Sequence, residues 1–283
     1  MYHLSIICGG PWENHNERTH SFHMKIVVCV KHVPDPNLPM TVDQSTMRLV
    51  RNPSSSILDP ADEFGLEVAL KTVEAQGGEV VAVTMGPAQA EDALRRAMAM
   101  GAERAIHIVD DALAGSDALG TARTLASAIR NENPDLVICA VESTDAYSGM
   151  VPGALAELLG LPQVTFARTF EVADGSVTVQ RSTEMGYQTI QAALPALVTV
   201  TASVAEPRYP SFKGLMQAKK KTIEVKSAGD LGLDTATVGA AGAKERVVNV
   251  ELLREEKQGQ TITDDGGDSV EQIVAFLKKI QVA

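Results

Sequence analysis

Few residues of this chain sit in spacings that do chemistry. No Gly-x-Gly-x-x-Gly separates a strand pattern from a helix pattern, and no Walker A sequence occurs, so the ordinary phosphate turns are missing. No paired carboxylates, Ser/His/Asp set or zinc spacing stands out, so neither a catalytic residue nor a metal ligand is expected. His32 and His107 are isolated and read as structural histidines. What remains is a set of loops, 30–35, 85–89 and 142–149, each expected to leave a strand at its carboxyl end. Open α/β sheets bind ligands at that edge.

Two of these loops lead into predicted helices, whose first N–H groups can hold a phosphate. Thr144, Ser148 and Gly149 suit close hydroxyl and backbone contact with an anion. Cys29, Met85 and Val141 are apolar neighbours able to flank an adenine ring. Capped loops without a ligand have the same spacing, so the residues alone leave both readings open.

A second candidate lies at 208–221. Arg208, Lys213, Lys219, Lys220 and Lys221 gather there in a chain of net charge −11. Tyr209, Phe212, Leu215 and Met216 are interspersed among them. Apolar anchors inside a basic rim suit docking on a partner with an acidic rim. A solvated helix end carrying lysines near its C-terminal dipole gives the same composition.

The elements that position these loops are legible in order. Lys25–Val30 is a β-branched run, read as the first parallel strand. Asp59-Pro60 is a helix start, an N-cap followed by Pro at the first helical position, and Leu66, Ala69, Leu70 and Val73 form its apolar stripe. Val80–Thr84, Arg104–Val109 and Asp135–Val141 are further strands. Helices follow them, bearing Ala93, Leu94, Ala97 and Met98, then Ala122, Leu125, Ala126 and Ile129, then Pro152. A small hairpin fits 40–50. Three antiparallel strands are expected over 164–192, and the apolar run Ala196–Val204 reads as a strand buried on both faces. The alternation predicts an α/β fold: a mostly parallel sheet, Rossmann-like, with helices on both faces.

Composition sets the limits. Apolar residues are 45% and charged residues 22%, the profile of an ordinary globular protein. An acidic chain with 4% aromatics is a poor nucleic-acid binder. No membrane insertion is expected, since no apolar run reaches the length of a span. Cys8, Cys29 and Cys139 are far apart and form no CxxC, as expected of reduced thiols in a cytoplasmic protein. Residues 1–23 lack periodicity and hold four histidines, three of them (His15, His20, His23) close enough to suggest a metal; disorder is the stronger reading on composition. The α/β domain is therefore expected over 24–226. From Ser227 the composition turns Gly-rich; 227–283 reads as an arm, with a strand at Val247–Leu252 and an amphipathic helix at Ser269–Ile280, packing on a partner subunit.

The order of motifs carries a family resemblance. MKIVVCVKHVPD, LDPADEFGLEVAL, VTMGPAQAEDALRRAMAMGAERAIHI, STDAYSGMVPG, EMGYQTI and AEPRYPSFKGLMQAKKK together resemble the β subunit of the electron transfer flavoproteins, from Met24 to about Val225. The resemblance implies a heterodimer with an α subunit. One FAD is held mainly by α near the interface and passes electrons from flavin dehydrogenases, such as the acyl-CoA type of fatty acid oxidation, to a membrane quinone oxidoreductase or another acceptor. It also implies a structural AMP in β, over Cys29, Asp59, Met85, Asp145, Ala146, Tyr147, Ser148 and Gly149. Asp59 replaces an asparagine of some members, and Tyr147 a glutamine. The implied recognition loop is 208–221, anchored by Phe212 where others have leucine, with Leu215, Met216 and Lys219 beside it. Electron-bifurcating relatives hold a second FAD in place of AMP. Their loop reads like D-G-D-T-A-Q-V-G-P, and STDAYSGMVPG is closer to the AMP type.

Overall fold

The computed structural model describes residues 5–8, 23–251, 261–264 and 266–280. It divides into two compact units, Met1–Val248 and Asn249–Ala283.

The first unit is built on one ten-stranded sheet. Its strands are β1 (Ser5–Cys8), β2 (Met24–Cys29), β7 (Gly78–Met85), β8 (Arg104–Ile108), β9 (Leu136–Ala140), β10 (Gln163–Ala173), β11 (Ser176–Thr183), β12 (Gly186–Ala193), β13 (Ala196–Val200) and β14 (Glu224–Lys226). Two small antiparallel pairs stand apart: β3 (His32–Pro34) with β6 (Ser56–Leu58), and the hairpin of β4 (Val42–Asp43) and β5 (Arg48–Leu49). The main sheet runs β1-β12-β11-β10-β13-β9-β2-β7-β8-β14. Its pairings are parallel except β10 with β11 and β11 with β12. The mostly parallel α/β fold expected from the alternation is the one observed.

The central strands are apolar on both faces because helices cover both. Ile26 and Val28 of β2 pack with Leu136 and Ile138 of β9 under α1 (Pro60–Gln76) and α2 (Glu91–Met100). Val27, Val137 and Cys139 pack on the opposite face with residues of α3 (Ala118–Glu132) and α4 (Met150–Leu159). The predicted inward residues Leu94, Ala97, Ala122 and Ile129 are all fully buried. Burying each large aliphatic side chain contributes about 1.5–3 kcal/mol, which fixes these strands as a rigid platform.

The topology creates one special crevice. From β2 the chain moves outward through β7 to β8, then returns to place β9 on the other side of β2. The loops leaving β2 and β9 therefore diverge, and a crevice opens between their carboxyl ends.

Beyond β13 the chain forms α5 (Phe212–Ala218), a short helix within the stretch read as a recognition loop. Residues 227–244 then pack on the same unit. Ala228 and Val238 are fully buried, and Leu231 nearly so, in the α3/α4-side core. The helical turn α6 (Gly239–Gly242) is held by Gly239 N–H on Ser116 Oγ at 2.9 Å. Small residues in this stretch allow close approach: a Cβ added at Gly239 would fall 1.9 Å from Ala112 O. The stretch expected to strand at Val247–Leu252 shows no strand over 247–251; Leu252 lies outside the described residues. β-branched residues make a strand only where an edge receives them, and among the described residues none pairs with 247–251. Of the segment set apart as 1–23, Ser5–Cys8 runs parallel to β12 at the sheet edge; His15 and His20 lie outside the described residues.

The second unit contains α7 (Ser269–Lys279). Its predicted stripe residues Val270, Ile273 and Val274 are exposed.

Candidate functional site

The residues at the carboxyl ends of β2 and β9 are joined by polar contacts between distant segments. Asp59 is the N-cap of α1 and fully buried. Its N–H donates to Lys31 O at 2.9 Å. Its Oδ1 accepts from Ala61 N–H at 3.0 Å, and its Oδ2 from Thr144 N–H at 2.8 Å. One residue, through its backbone N–H and both carboxylate oxygens, thus ties the loop after β2, the start of α1 and the loop after β9. One turn into α1, Asp62 Oδ2 accepts from Lys31 N–H at 2.7 Å. Burial, with Asp59 close by, pushes the Asp62 carboxyl well above the usual carboxylate range.

Asp145 takes the opposite course. Its side chain is 1% exposed, yet it lies 2.6 Å from Lys31 Nζ and 2.8 Å from Arg51 Nη2. Burial favours the neutral acid, but Lys31, the Ser143 hydroxyl and Arg51 together outweigh it and hold the carboxyl below its usual range. Lys31 Nζ also donates to Ser143 Oγ at 3.1 Å. The crevice is therefore bridged by a buried anion between two cations.

The loop after β9 turns back on itself beside this bridge. Ala146 N–H and Tyr147 N–H both turn back to Ser143 O. Gly149, the N-cap of α4, has φ +61°, a conformation that favours glycine, and no side chain caps the helix. Among the described residues the N–H groups of Ser148 and Gly149 donate to no partner. The buried Thr144 hydroxyl also has no hydrogen-bond partner. The Ser148 and Gly149 amides face solvent, whereas a buried hydroxyl such as that of Thr144 costs free energy unless something meets it.

Apolar residues stand on the strand side. Cys29 and Met85 are half-buried at the ends of β2 and β7, packed against the α3/α4-side core. Cys139 is buried, and the adjoining Cys29 thiol together with burial pushes its pKa up, so it stays a neutral thiol. His107 is buried with Nε2 3.2 Å from the Gly86 and Pro87 carbonyl oxygens, a structural tie of the loop after β7. His32 is buried as well, and burial lowers its pKa. No cluster of metal-ligating side chains occurs among the described residues.

Cys29, Asp59, Asp145, Ala146, Tyr147, Ser148 and Gly149 thus meet at one sheet edge, with Met85 one strand across. Asp145 points into its ion bridge, and the Tyr147 side chain is 63% exposed. Lys31, Asp62 and Arg51 were missed by the sequence reading. Lys31 had a signal, because it lies in the first loop; Arg51 had none, since it arrives from beside the 40–50 hairpin.

The second region is α5. Tyr209 is 90% and Phe212 81% exposed, with Leu215 and Met216 exposed beside them. The helix lies on the C-terminal end of α2, and Gly214 permits the approach: a Cβ there would sit 2.4 Å from Ala99 O. Ser211 Oγ caps the helix, accepting from Gly214 N–H at 3.0 Å. Arg208 and Lys221, counted as rim charges in the sequence, are used internally. Arg208 pairs with Glu67 and Glu74 of α1, and Lys221 Nζ donates to the carbonyls of Ala102 and Glu103. Lys213, Lys219 and Lys220 are exposed and make no ion pair among the described residues. No helix among those residues is long and apolar enough to cross a membrane.

The chain is similar to known proteins over most of its length. Residues 46–231 match the family model described as the electron transfer flavoprotein domain. An electron transfer flavoprotein subunit beta of Mycobacterium leprae is 40% identical over 258 residues, covering 89% of this chain and 97% of that one. One from Thermoanaerobacterium thermosaccharolyticum is 37% identical over 260 residues, covering 92% of this chain and all of the relative, 100%. The caffeyl-CoA reductase-Etf complex subunit CarD of Acetobacterium woodii is 34% identical over 256 residues, at 90% and 96% coverage. On the match over most of its length, the chain belongs to the electron transfer flavoprotein β-subunit family.

Proposed function

We propose that this chain is the β half of a heterodimeric electron carrier, supplying scaffold, nucleotide site and docking helix to an α subunit that holds most of the FAD. FAD, when bound, supplies the electron relay between dehydrogenase and acceptor. No residue of this chain acts as acid, base or nucleophile in that relay. Its task is to bind, to orient and to present a surface.

The observation that carries the reading is α5. Three apolar residues stand in solvent on a helix fixed to α1 and α2, with Tyr209 exposed just before it and lysines at the rim. A face of that kind serves a partner: the apolar centre supplies affinity, the rim steers the encounter. We assign acyl-CoA-type or related flavin dehydrogenases as its partners, a membrane quinone oxidoreductase or similar protein as the acceptor, and the cytoplasm as the location. The exposed stripe of α7 supports packing of the C-terminal segment on the α subunit.

The strand-end residues suit AMP. The free amides of Ser148 and Gly149, the unpartnered Thr144 hydroxyl and the cations Lys31 and Arg51 would hold its phosphate and ribose oxygens. Cys29 and Met85 would flank the base. A second reading is a bifurcating complex with another FAD in place of AMP; likeness to a subunit of a caffeyl-CoA reductase-Etf complex supports a place in a larger complex of that kind.

Co-expression with the α subunit, followed by release and quantification of nucleotides, tests both. One FAD and one AMP per heterodimer is the expected result. Two FAD without AMP would establish the bifurcating arrangement. A complex without flavin would refute the carrier role.

A further inference from the structure

We propose that Arg208, gripped by Glu67 and Glu74, is a positioning residue that presents α5, and with it Phe212, to the partner already oriented. The proposal rests on the reading of α5 as the docking face.

The argument starts from Glu67. It sits in the middle of α1 and is 2% exposed. A carboxylate there costs several kcal/mol unless it is paired and hydrogen-bonded. Arg208 supplies the pairing. Its backbone N–H and Nε donate to Glu67 Oε2 at 3.1 and 2.7 Å, and Nη2 donates to Glu67 Oε1 at 3.1 Å. Nη2 also reaches Glu74 Oε2 at 3.0 Å, and Nη1 donates to Glu74 Oε1. Although burial opposes it, the Arg208 contacts hold the Glu67 carboxyl below its usual range. All three guanidinium nitrogens are thus turned onto α1. Arg208 is not a free charge waiting for a partner's acidic rim; it is a fixed point of the chain.

That point lies three positions before Ser211, the cap of α5. The far end of α5 is gripped as well, by Arg95 Nη1 donating to Ala218 O and Lys221 O. A helix of seven residues has no stability of its own, so its pose must come from what holds its ends. The payoff is preorganisation: the cost of ordering the helix is met on folding and is not charged to association.

The test uses the heterodimer with an acyl-CoA dehydrogenase as electron donor. Arg208→Lys keeps the charge and loses the fork. It is expected to raise the KM for the heterodimer about tenfold while kcat and FAD content stay unchanged. Hydrogen exchange of the amides of 212–218 is expected to quicken in step. In a Phe212→Ala background the same change is expected to add little, because Arg208 acts through Phe212. If Arg208→Lys folds poorly, Glu74→Gln removes the exposed half of the grip and is expected to raise KM about threefold.

Unchanged KM in Arg208→Lys or Glu74→Gln, while Phe212→Asp raises it, overturns the positioning role and leaves docking intact. An undiminished Arg208→Lys effect in the Phe212→Ala background also overturns it, since Arg208 would then touch the partner directly. If Phe212→Asp itself has no effect, it is the docking reading that fails.

Discussion

At the strand ends, polar groups meet in the interior; on α5, apolar groups stand in solvent. Both arrangements are unfavourable for a protein with no further task. They are held differently. The crevice is closed by contacts between residues 114, 94 and 85 positions apart: Lys31 with Asp145, Arg51 with Asp145, and Thr144 with Asp59. The α5 face is one short stretch of chain, tethered at its ends. A site of the first kind is preformed by the core, and its polar groups are mostly satisfied. A site of the second kind depends on a few tethers, so single substitutions should detach it without disturbing the fold. Helix α1 serves both, its N-cap in the crevice and its middle turns on Arg208.

The largest separation of the two regions should come from Phe212→Asp. On the docking proposed for α5, an aspartate in place of Phe212 puts a charge at the buried centre of the interface and costs about 2 kcal/mol or more, about a thirtyfold loss in affinity. Electron transfer from dehydrogenases should fall accordingly at low donor concentration, with FAD and AMP content unchanged. Unaltered transfer would mean that the partner binds elsewhere. Gly214→Ala approaches the same face from beneath. Its Cβ would meet a backbone oxygen, which cannot move aside as a flexible side chain could, so α5 must lift from α2. About a tenfold rise in KM is expected, as for loss of preorganisation; a normal KM would show that α5 tolerates a shifted pose.

The crevice should respond in the reverse sense. Asp59→Ala removes the α1 cap and the acceptor for Thr144 N–H, a loss of about 1–2 kcal/mol of stability. Tm and AMP content should drop while KM for the dehydrogenase holds. Asp59→Asn, which keeps an acceptor for the cap but turns an NH2 donor toward Thr144 N–H, should lose less. Equal losses in the two variants would mean that the carboxylate's second acceptor, on Thr144 N–H, matters more than the cap.

How far each region could be read from sequence follows from the same contrast. The strands and the helices were legible because β-branched runs and 3.6-residue stripes are local, and Asp59-Pro60 marked its helix start at the right residue. Gly149 and the loop around it were legible from their place after a strand. The ion bridge was not, because nothing near Arg51 or Asp145 records their meeting. On α5 the apolar residues were legible as candidates, but Arg208 and Lys221 were counted with the rim when they are the tethers. A basic residue's spacing does not say whether its charge faces outward. The Gly-rich composition after Ser227 did not show that its small residues fit closely onto the existing core, since a close fit depends on distant backbone such as Ala112 O.

The smallest effect is the most diagnostic of the crevice. Asp62 has its folded pKa raised by burial and by Asp59, so the folded state holds this proton more tightly than the unfolded chain does. Its contribution to stability is therefore full below the unfolded value of about 4 and is lost as pH rises from there toward the folded value. Asp62→Asn keeps the shape and the acceptor for Lys31 N–H but has no proton to lose. The variant should match the parent near pH ~4 and exceed it increasingly as pH rises, read as a widening difference in Tm. Substitutions on α5 should show no such widening, since nothing there is a buried acid of raised pKa. A gap that is constant with pH would assign the gain to packing, and a gap that narrows would mean that Asp62 is ionised and paired, as Asp145 is.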